Sequence, residues 1–331
     1  MLQIQSMADQ NIIEWKEEVY FMQDLKSSLC KVALVQAEPV LFDKERTIEK
    51  ALECIGEAAG NGAQLIVFPE SFVPCYPYGM TFGFSVGART KEGREDWKRY
   101  YDNSMVVPGE ETKLLGEAAE KYGVYISIGI TERDGINTTL YCTNLIFTPD
   151  GKLAAKHRKL KPTGAERYIW GDGYDGHFPV VETPWGVMGS LICWENYMPL
   201  ARVALYEKGT TIYLAPNTND NPEWFDTIRH IAIEGHCYVI NVDQYVKRES
   251  YPKDLNAQDE IGKLPETIMR GGSCVVDPYG HYVNEPVWDQ EAIIYVDLDM
   301  EAVPSSRMEF DGVGHYSRPD VLKLQVKEED C

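Results

Sequence analysis

Short apolar runs rich in β-branched residues alternate with segments of helical periodicity along most of the chain. A buried strand is typically a run of about four to eight apolar residues, whereas an amphipathic helix repeats its apolar positions every three to four residues. The runs that predict strands are 31–37, 65–68, 124–130, 140–148, 153–158, 186–193, 212–215, 238–242, 272–276 and 293–298. The segments that predict helices are 48–59, 114–122, 199–208 and 222–234. The pattern therefore predicts an α/β protein.

Turn residues predict where several of these elements end. Gly60 stands where a left-handed cap of the first helix is expected, and Gly123 follows the second helix in the same way. The sequence Pro149-Asp150-Gly151 predicts a hairpin between two strands. The polar, charged and proline-containing stretch Lys247–Arg270 predicts a surface loop inserted into the second half.

The two halves of the chain show the same order of elements, with helices on only one side of each strand group. This predicts a four-layer αββα sandwich, in which two mixed sheets pack together and the helices lie outside. A single doubly wound sheet is the rival fold, but no Gly-x-Gly-x-x-Gly follows a predicted strand. We expect residues 1–30 to form an N-terminal extension, 31–326 the domain, and 327–331 a C-terminal tail.

Charge and composition narrow the class of protein. The 331 residues include 32 basic and 52 acidic side chains, a net charge of −20, and such a surface repels nucleic acid. No run approaches the ~20 apolar residues of a membrane span, and residues 1–30 lack the apolar block of a secretory signal. The eight cysteines contain no Cys-x-x-Cys pair, and the six histidines form no cluster typical of a metal site. These features predict a cytoplasmic protein with free thiols and without a membrane or nucleic-acid partner.

Three segments place a reactive side chain at a predicted strand end, where catalytic groups collect in α/β folds. Glu70 directly follows an apolar run, so partial burial is expected to raise its pKa toward the range of a general base. The basic run 156–163 could supply one inward lysine to stabilise an anion. Cys193 stands at a strand-to-helix junction typical of a nucleophile elbow. Taken singly, each also fits a structural role: a solvated acid, a protected strand edge and a core cysteine.

Together and in this order, the three segments resemble the nitrilase superfamily of carbon–nitrogen hydrolases. The motifs are Phe68-Pro69-Glu70-Ser71-Phe72, His157-Arg158-Lys159-Leu160-Lys161-Pro162-Thr163 and Ile192-Cys193-Trp194-Glu195-Asn196. Three longer runs resemble the nitrilase branch in particular: Glu166–Gly173, Met198–Arg202 and Gly314–Asp320. The resemblance extends from about Lys31 to Val326.

The resemblance implies a role for each site residue. The family's general base falls on Glu70, its lysine on Lys159 and its nucleophile on Cys193. Lys161 is the neighbouring alternative, but the match to His-Arg-Lys favours Lys159. Glu166 corresponds to a second glutamate that holds the lysine in place.

The surroundings of these residues are expected to form an aromatic pocket. Tyr76, Trp170 and Trp194 are predicted to bind substrate, and Trp194 also to supply a backbone N–H to an oxyanion site. Glu195 is expected to be a structural acid rather than a catalytic one. The resemblance requires no metal or organic cofactor and implies a homodimer or a higher homo-oligomer.

The implied function is that of a nitrilase, which converts an organic nitrile to its carboxylic acid and ammonia through a cysteine thioimidate and thioester. An amidase or carbamoylase, or a nitrile (cyanide) hydratase that stops at the amide, would use the same Glu-Lys-Cys site. A catalytically idle assembly or binding module is a third hypothesis. By the resemblance, the runs Cys193-Trp194-Glu195 and Glu166–Gly173 favour the nitrile branch over amide cleavage. The intact trio of Glu70, Lys159 and Cys193 argues against the idle module. The particular nitrile, the acid-to-amide ratio, the oligomer size and the role of residues 1–30 stay open.

Overall fold

The computed structural model describes residues 28–173 and 178–327, and within these ranges thirteen strands form two mixed β-sheets. The strands are β1 Leu29–Gln36, β2 Leu65–Val67, β3 Tyr125–Arg133, β4 Leu140–Phe147, β5 Leu153–Arg158, β6 Val180–Thr183, β7 Gly186–Ser190, β8 Thr210–Pro216, β9 Tyr238–Val242, β10 Tyr245–Lys247, β11 Thr267–Val276, β12 Tyr282–Trp288 and β13 Ala292–Asp299. The helices are α1 Lys44–Gly60, α2 Lys91–Asp102, α3 Glu110–Tyr122, α4 Pro199–Glu207, α5 Pro222–Gly235, α6 Gln258–Ile261 and α7 Ala302–Ser306. Part of the predicted extension (residues 1–27) and of the predicted tail (residues 328–331) lies outside the described residues.

Each sheet contains three parallel strands flanked by antiparallel ones. The first sheet has the order β13–β1–β2–β3–β4–β5, in which β1, β2 and β3 are parallel. The second has the order β10–β11–β9–β8–β7–β6, with β12 beside β11, and its strands β7, β8 and β9 are parallel. Parallel neighbours end at the same edge of a sheet, so each half of the chain gathers several strand ends in one place.

Three layers of apolar contact hold the sheets and helices together. Val32 and Val67 of the first sheet pack against Ile212 and Ile240 of the second, which forms the central core. Helices α1 and α3 cover the outer face of the first sheet, and α4 and α5 cover the outer face of the second. The predicted four-layer αββα sandwich is therefore confirmed.

Several predicted boundaries shift because a local contact extends or ends an element. Gly60 is the last residue of α1 and not its cap, since the Asn61 side chain donates a hydrogen bond to the Glu57 carbonyl and prolongs the turn. The left-handed residue is Gly62, with φ 83°. Gly123 does take the predicted left-handed conformation, with φ 66°.

The stretch Lys247–Arg270 is not a surface loop, and that prediction was wrong. It contains α6 and the start of β11, and it buries Tyr251, Leu255 and Ile261. The Tyr251 hydroxyl donates to the Tyr78 carbonyl at 2.8 Å, which fixes the stretch over the segment that follows β2. The buried residues are separated by charged ones, so no helical or strand period appears in the sequence.

Helix α2 and strands β6, β10 and β12 were not predicted. Helix α2 is mostly charged and buries a single large ring, that of Tyr100, while the Thr90 side chain caps its first turn. Strands β6, β10 and β12 are short or half-exposed edge segments without an apolar run. Such elements depend on tertiary packing more than on local hydrophobicity.

Candidate active site

Glu70 lies in the turn three residues after the end of β2 and is completely buried. The turn that holds it passes close to β3, where a Cβ on Gly129 would stand 2.3 Å from the Pro69 carbonyl oxygen. Only glycine at that position lets the two backbones approach so closely. The turn thereby directs the carboxyl group into the space between the two sheets.

Both carboxylate oxygens of Glu70 accept hydrogen bonds. Oε1 accepts from Lys159 Nζ at 2.7 Å and from the Cys142 thiol at 3.4 Å, and Oε2 accepts from Thr218 Oγ1 at 2.9 Å. The Gln244 amide donates to the Glu70 main-chain carbonyl at 2.7 Å. The carboxyl group is therefore held in one orientation by residues from both sheets.

Lys159 follows β5 and lies between two carboxylates. Its ammonium contacts Glu70 Oε1 at 2.7 Å and Glu166 Oε2 at 2.9 Å, and its side chain has no exposed surface. Glu166 is itself fixed, because the Thr163 backbone N–H donates to Oε2 and the Tyr76 hydroxyl donates to Oε1. The structure thus brings Glu70, Lys159 and Glu166 into contact with one another.

Lys161, the alternative lysine, has a different environment. Its side chain is half-exposed and pairs with Asp172 at 2.6 Å. Among the described residues, its ion pair is with Asp172 and not with Glu70 or Glu166. The geometry favours Lys159 as the lysine of the site.

Cys193 is the first residue of a tight turn, Cys193–Tyr197, which follows β7. Its φ of 49° lies in the left-handed region that non-glycine residues rarely adopt. The Asn196 side chain donates to the carbonyl oxygens of Leu191 and Cys193 and stabilises this turn. The predicted elbow is therefore present, although its strand already ends at Ser190.

Burial and charge set the protonation states of these groups. Burial raises the pKa of the Cys193 thiol well above its usual range, and the Glu70 charge adds to the rise, whereas the Lys159 charge and the Thr218 backbone N–H oppose it. Burial also raises the pKa of Glu70, against the opposing effect of Lys159. Burial works against the Lys159 ammonium, but the neighbouring carboxylates of Glu70 and Glu166 outweigh it and raise the pKa of Lys159 well above normal. The resting nucleophile is thus a thiol that needs a base.

The predicted aromatic residues occupy different positions around the trio. The Tyr76 ring packs on the Tyr78 ring at 4.6 Å and on the Trp170 ring at 5.4 Å, and burial, with the charges of Glu166 and Glu70, raises the pKa of its hydroxyl. Trp170 is buried in the same cluster as Cys193. The Trp194 ring is half-exposed and packs edge-on against Tyr197 at 5.4 Å. Tyr76 and Trp170 therefore lie beside the site, while the Trp194 ring extends to the surface.

Glu195 is buried and accepts hydrogen bonds from three groups around the elbow. His157 Nε2 lies 2.9 Å from Oε2, the Ile192 backbone N–H donates to Oε2, and the Leu160 backbone N–H donates to Oε1. This acid joins the Lys159 segment to the Cys193 turn. It has the structural role expected for it.

Sequence reasoning missed Thr218, Gln244 and Cys142 as neighbours of Glu70. Thr218 follows β8, the parallel neighbour of the strand that leads to Cys193. A hydroxyl two residues after the end of that strand was the available signal, since parallel neighbours end at one edge. Gln244 and Cys142 had no comparable signal.

No group of three or more His, Cys, Asp or Glu side chains within 28–173 and 178–327 could hold a metal ion. Over the same ranges, none of the helices combines the length and the apolar character needed to cross a membrane.

Comparison with known proteins agrees with this geometry. The family model "Carbon-nitrogen hydrolase" matches residues 31–308. The chain is 50% identical to an aliphatic nitrilase of Sinorhizobium fredii, over 90% of this chain and 96% of that protein. It is 44% identical to nitrilase 2 of Arabidopsis thaliana, over 91% and 90%. A bifunctional nitrilase/nitrile hydratase of Lupinus angustifolius is 42% identical, over 94% and 90%.

A solved structure has the same fold. The crystal structure of Saccharomyces cerevisiae Nit3, a member of branch 10 of the nitrilase superfamily, matches with a TM-score of 0.69 and 26% identity, over 88% of this chain and 97% of that one. The family match covers most of the chain, and the identity to nitrilases reaches one half. The chain therefore belongs to the carbon–nitrogen hydrolase family, within its nitrilase branch.

Proposed function

We propose that the protein is a nitrilase that hydrolyses an organic nitrile to the carboxylic acid and ammonia. The observation that carries the proposal is the buried Lys159 ammonium held between Glu70 and Glu166 beside the Cys193 thiol. A base, a cation and a sulfur nucleophile are the groups needed to add a thiol across C≡N. The relatives named as nitrilases support the same substrate class.

In the first step Glu70 removes the thiol proton as Cys193 Sγ attacks the nitrile carbon. A C–S bond forms, one C–N π bond breaks, and the proton is delivered to nitrogen to give a thioimidate. The Lys159 ammonium stabilises the negative charge that develops on the way. Cys193 need not be ionised in the resting enzyme, which agrees with its raised pKa.

Water completes the reaction in the second stage. Glu70 removes a proton from water as the oxygen adds to the thioimidate carbon, which gives a tetrahedral adduct. Cleavage of its C–N bond releases ammonia and leaves a thioester, which a second water hydrolyses to the acid and the free thiol. Cleavage of the C–S bond would instead release an amide.

The substrate that we propose is a neutral nitrile with an apolar tail. Tyr76 and Trp170 would contact that tail, since both rings lie in the cluster that contains Cys193. Lys159 carries one positive charge, and Glu70 and Glu166 carry two negative charges. The net negative charge of these three groups disfavours an anionic substrate close to the reacting carbon. We assign Trp194 a backbone N–H role near the oxyanion and a place at the pocket mouth.

A product assay tests the proposal. Purified protein is incubated with a panel of nitriles and the matching amides, and ammonia, acid and amide are measured. Cys193→Ala should abolish release of all three products, whereas Cys54→Ala, which removes a half-buried cysteine on α1, should leave the rates unchanged.

The products distinguish the alternatives. Acid and ammonia from nitriles support the nitrilase. Amide as the main product would show that the C–S bond of the adduct breaks faster than the C–N bond. The Lupinus relative is named as both a nitrilase and a nitrile hydratase. Turnover of amides alone would overturn the nitrile assignment. If neither nitriles nor amides are hydrolysed and no Cys193 adduct forms, the catalytically idle module would be favoured.

We also propose that the enzyme works in the cytoplasm as a homodimer or a higher homo-oligomer. The seven cysteines in the described ranges are free, and the mechanism needs Cys193 reduced. Tyr197, Met198 and Leu200 at the start of α4 and Ile233 on α5 expose apolar surface. The Arg202–Glu234 ion pair links these two helices, and we propose that the surface around them contacts a second copy.

A further inference from the structure

The segment Asn217–Asn219 connects the base to the nucleophile. Thr218 Oγ1 donates to Glu70 Oε2 at 2.9 Å, and the Thr218 backbone N–H lies near the Cys193 thiol and acts to lower its pKa. These two contacts come from one residue of the second sheet and reach both reacting groups. Glu70 belongs to the first sheet, so Thr218 also bridges the two sheets at the site.

Asp243 holds the segment in place. This residue directly follows β9 and is completely buried. Its Oδ2 accepts from Asn217 Nδ2 at 3.0 Å and from the Asn219 backbone N–H at 3.1 Å, so the residues on both sides of Thr218 are tied to the same oxygen. Asn217 Nδ2 also donates to the Asn219 carbonyl at 2.8 Å, which closes the turn.

The hydrogen bonds of Asp243 also reach the Glu70 main chain, through Gln244. Asp243 Oδ1 accepts from the Gln244 backbone N–H at 2.8 Å, and the Gln244 side chain donates to the Glu70 carbonyl at 2.7 Å. Glu70 is therefore held at its backbone through Gln244 and at its carboxylate through Thr218. Thr218 follows β8 and Gln244 follows β9, and these two strands are parallel neighbours.

We propose that Thr218 is a positioning residue that keeps Glu70 aimed at the nucleophile throughout proton transfer, an inference that rests on the proposed function. A hydroxyl suits this task because it donates to the carboxylate and can rotate to accept from the carboxylic acid. The bond to Glu70 thus persists when the thiol proton moves from Cys193 to Glu70. A methyl group can make neither bond.

The proposal predicts a change in pH dependence. The Thr218 hydroxyl favours the charged form of Glu70, so its removal raises the pKa of Glu70 further. Activity that needs the carboxylate then starts at a higher pH. Besides the buried phenols of Tyr76 and Tyr78, the ionisable groups that act on Glu70 are Lys159, Glu166, Cys142, Cys193 and Asp243.

Thr218→Val and Thr218→Ser test the role of the hydroxyl. Valine keeps the shape and the backbone N–H but removes the oxygen, whereas serine keeps the oxygen. For Thr218→Val we expect kcat/KM for a nitrile to fall about 10- to 100-fold, mainly through kcat. The acid limb of its pH profile should move up by about one unit. Thr218→Ser should retain most of the rate and the wild-type profile.

A second measurement, the alkylation of Cys193, does not require hydrolysis of a nitrile. The rate of Cys193 alkylation by iodoacetamide, followed by mass spectrometry across pH, reports the proton transfer from the thiol. The same upward shift in Thr218→Val supports the proposal even if no nitrile is hydrolysed. Equal pH profiles for the valine and serine variants would overturn it. If Thr218→Val fails to fold, Thr218→Ala against Thr218→Ser provides the same comparison.

Discussion

Lys159 and Lys161 are two residues apart and have opposite environments. Lys159 is buried between two carboxylates, and Lys161 pairs with Asp172 at the surface. A strand-like backbone sends alternate side chains to opposite faces, but both lysines follow the end of β5, where that rule no longer applies. The fold around each side chain decides which lysine faces the nucleophile.

Lys159→Met should damage both stability and activity. The change leaves Glu70 and Glu166 buried without their cation, so we expect the free energy of unfolding to fall by about 3–5 kcal/mol. Loss of charge stabilisation should lower kcat by about 10²- to 10³-fold. Urea unfolding and the ammonia assay measure the two effects.

Lys161→Met is the matched control. An exposed pair contributes at most about 1 kcal/mol, so stability and kcat should stay close to wild type. A large loss of kcat in Lys161→Met with little loss in Lys159→Met would contradict the assignment.

At the scale of the elements, the site depends on segments that follow strands. The Cys193 turn follows β7, the Lys159 segment follows β5, and Glu195 joins the two through the Ile192 and Leu160 backbone N–H groups. Glu195 also contacts His157 within β5. A carboxylate between two segments fixes their relative position without touching the reacting atoms.

The pKa of Glu195 makes its contribution depend on pH. Burial alone would raise this pKa, but His157 and the two backbone donors outweigh burial and hold it below normal. A depressed pKa in the folded state means that the stabilisation is complete above the unfolded value of ~4.3 and is lost as pH falls through the folded value.

Glu195→Gln should therefore lower the free energy of unfolding by about 2 kcal/mol at pH 7. The difference from wild type should shrink below about pH 4, where wild-type Glu195 also loses its charge. Urea unfolding at several pH values measures this, with the exposed substitution Glu53→Gln on α1 as control. A difference that is constant from pH 7 to pH 3 would show that charge is not involved.

At the scale of the whole molecule, the two sheets form one core and the two outer helix layers are not equivalent. Met198, which precedes α4, Leu200 in α4 and Ile233 in α5 lie at the surface, with 39%, 68% and 47% of each residue exposed. Apolar residues gathered on one face of a molecule are typical of an interface.

Leu200→Glu should reduce the mass of the native particle, because a charge placed in a buried interface is costly. Light scattering after size exclusion measures the mass. Ile136→Glu, at a 97% exposed position between β3 and β4, is the control and should keep the wild-type mass. An unchanged oligomer in Leu200→Glu would exclude this face.

Much of the fold was predictable because its signals are local. The apolar runs gave strands such as β5 and β9 with their observed bounds, and Gly123 marked the end of α3. Helix α2 and the buried stretch around Tyr251 were missed because their few apolar residues are dispersed among charged ones. Their structure depends on the surfaces that they cover.

The amino-acid sequence by itself determined the order of the strands and helices that have a clear apolar period, and the motifs around Glu70, Lys159 and Cys193, since periodicity and motifs act over short stretches of chain. Only the tertiary structure decided which side chains meet. Lys159 contacts Glu70 across 89 positions of sequence, and Thr218 contacts it across 148. Such contacts arise from the packing of two sheets, which brings distant strand ends to one place and leaves no trace in the local pattern.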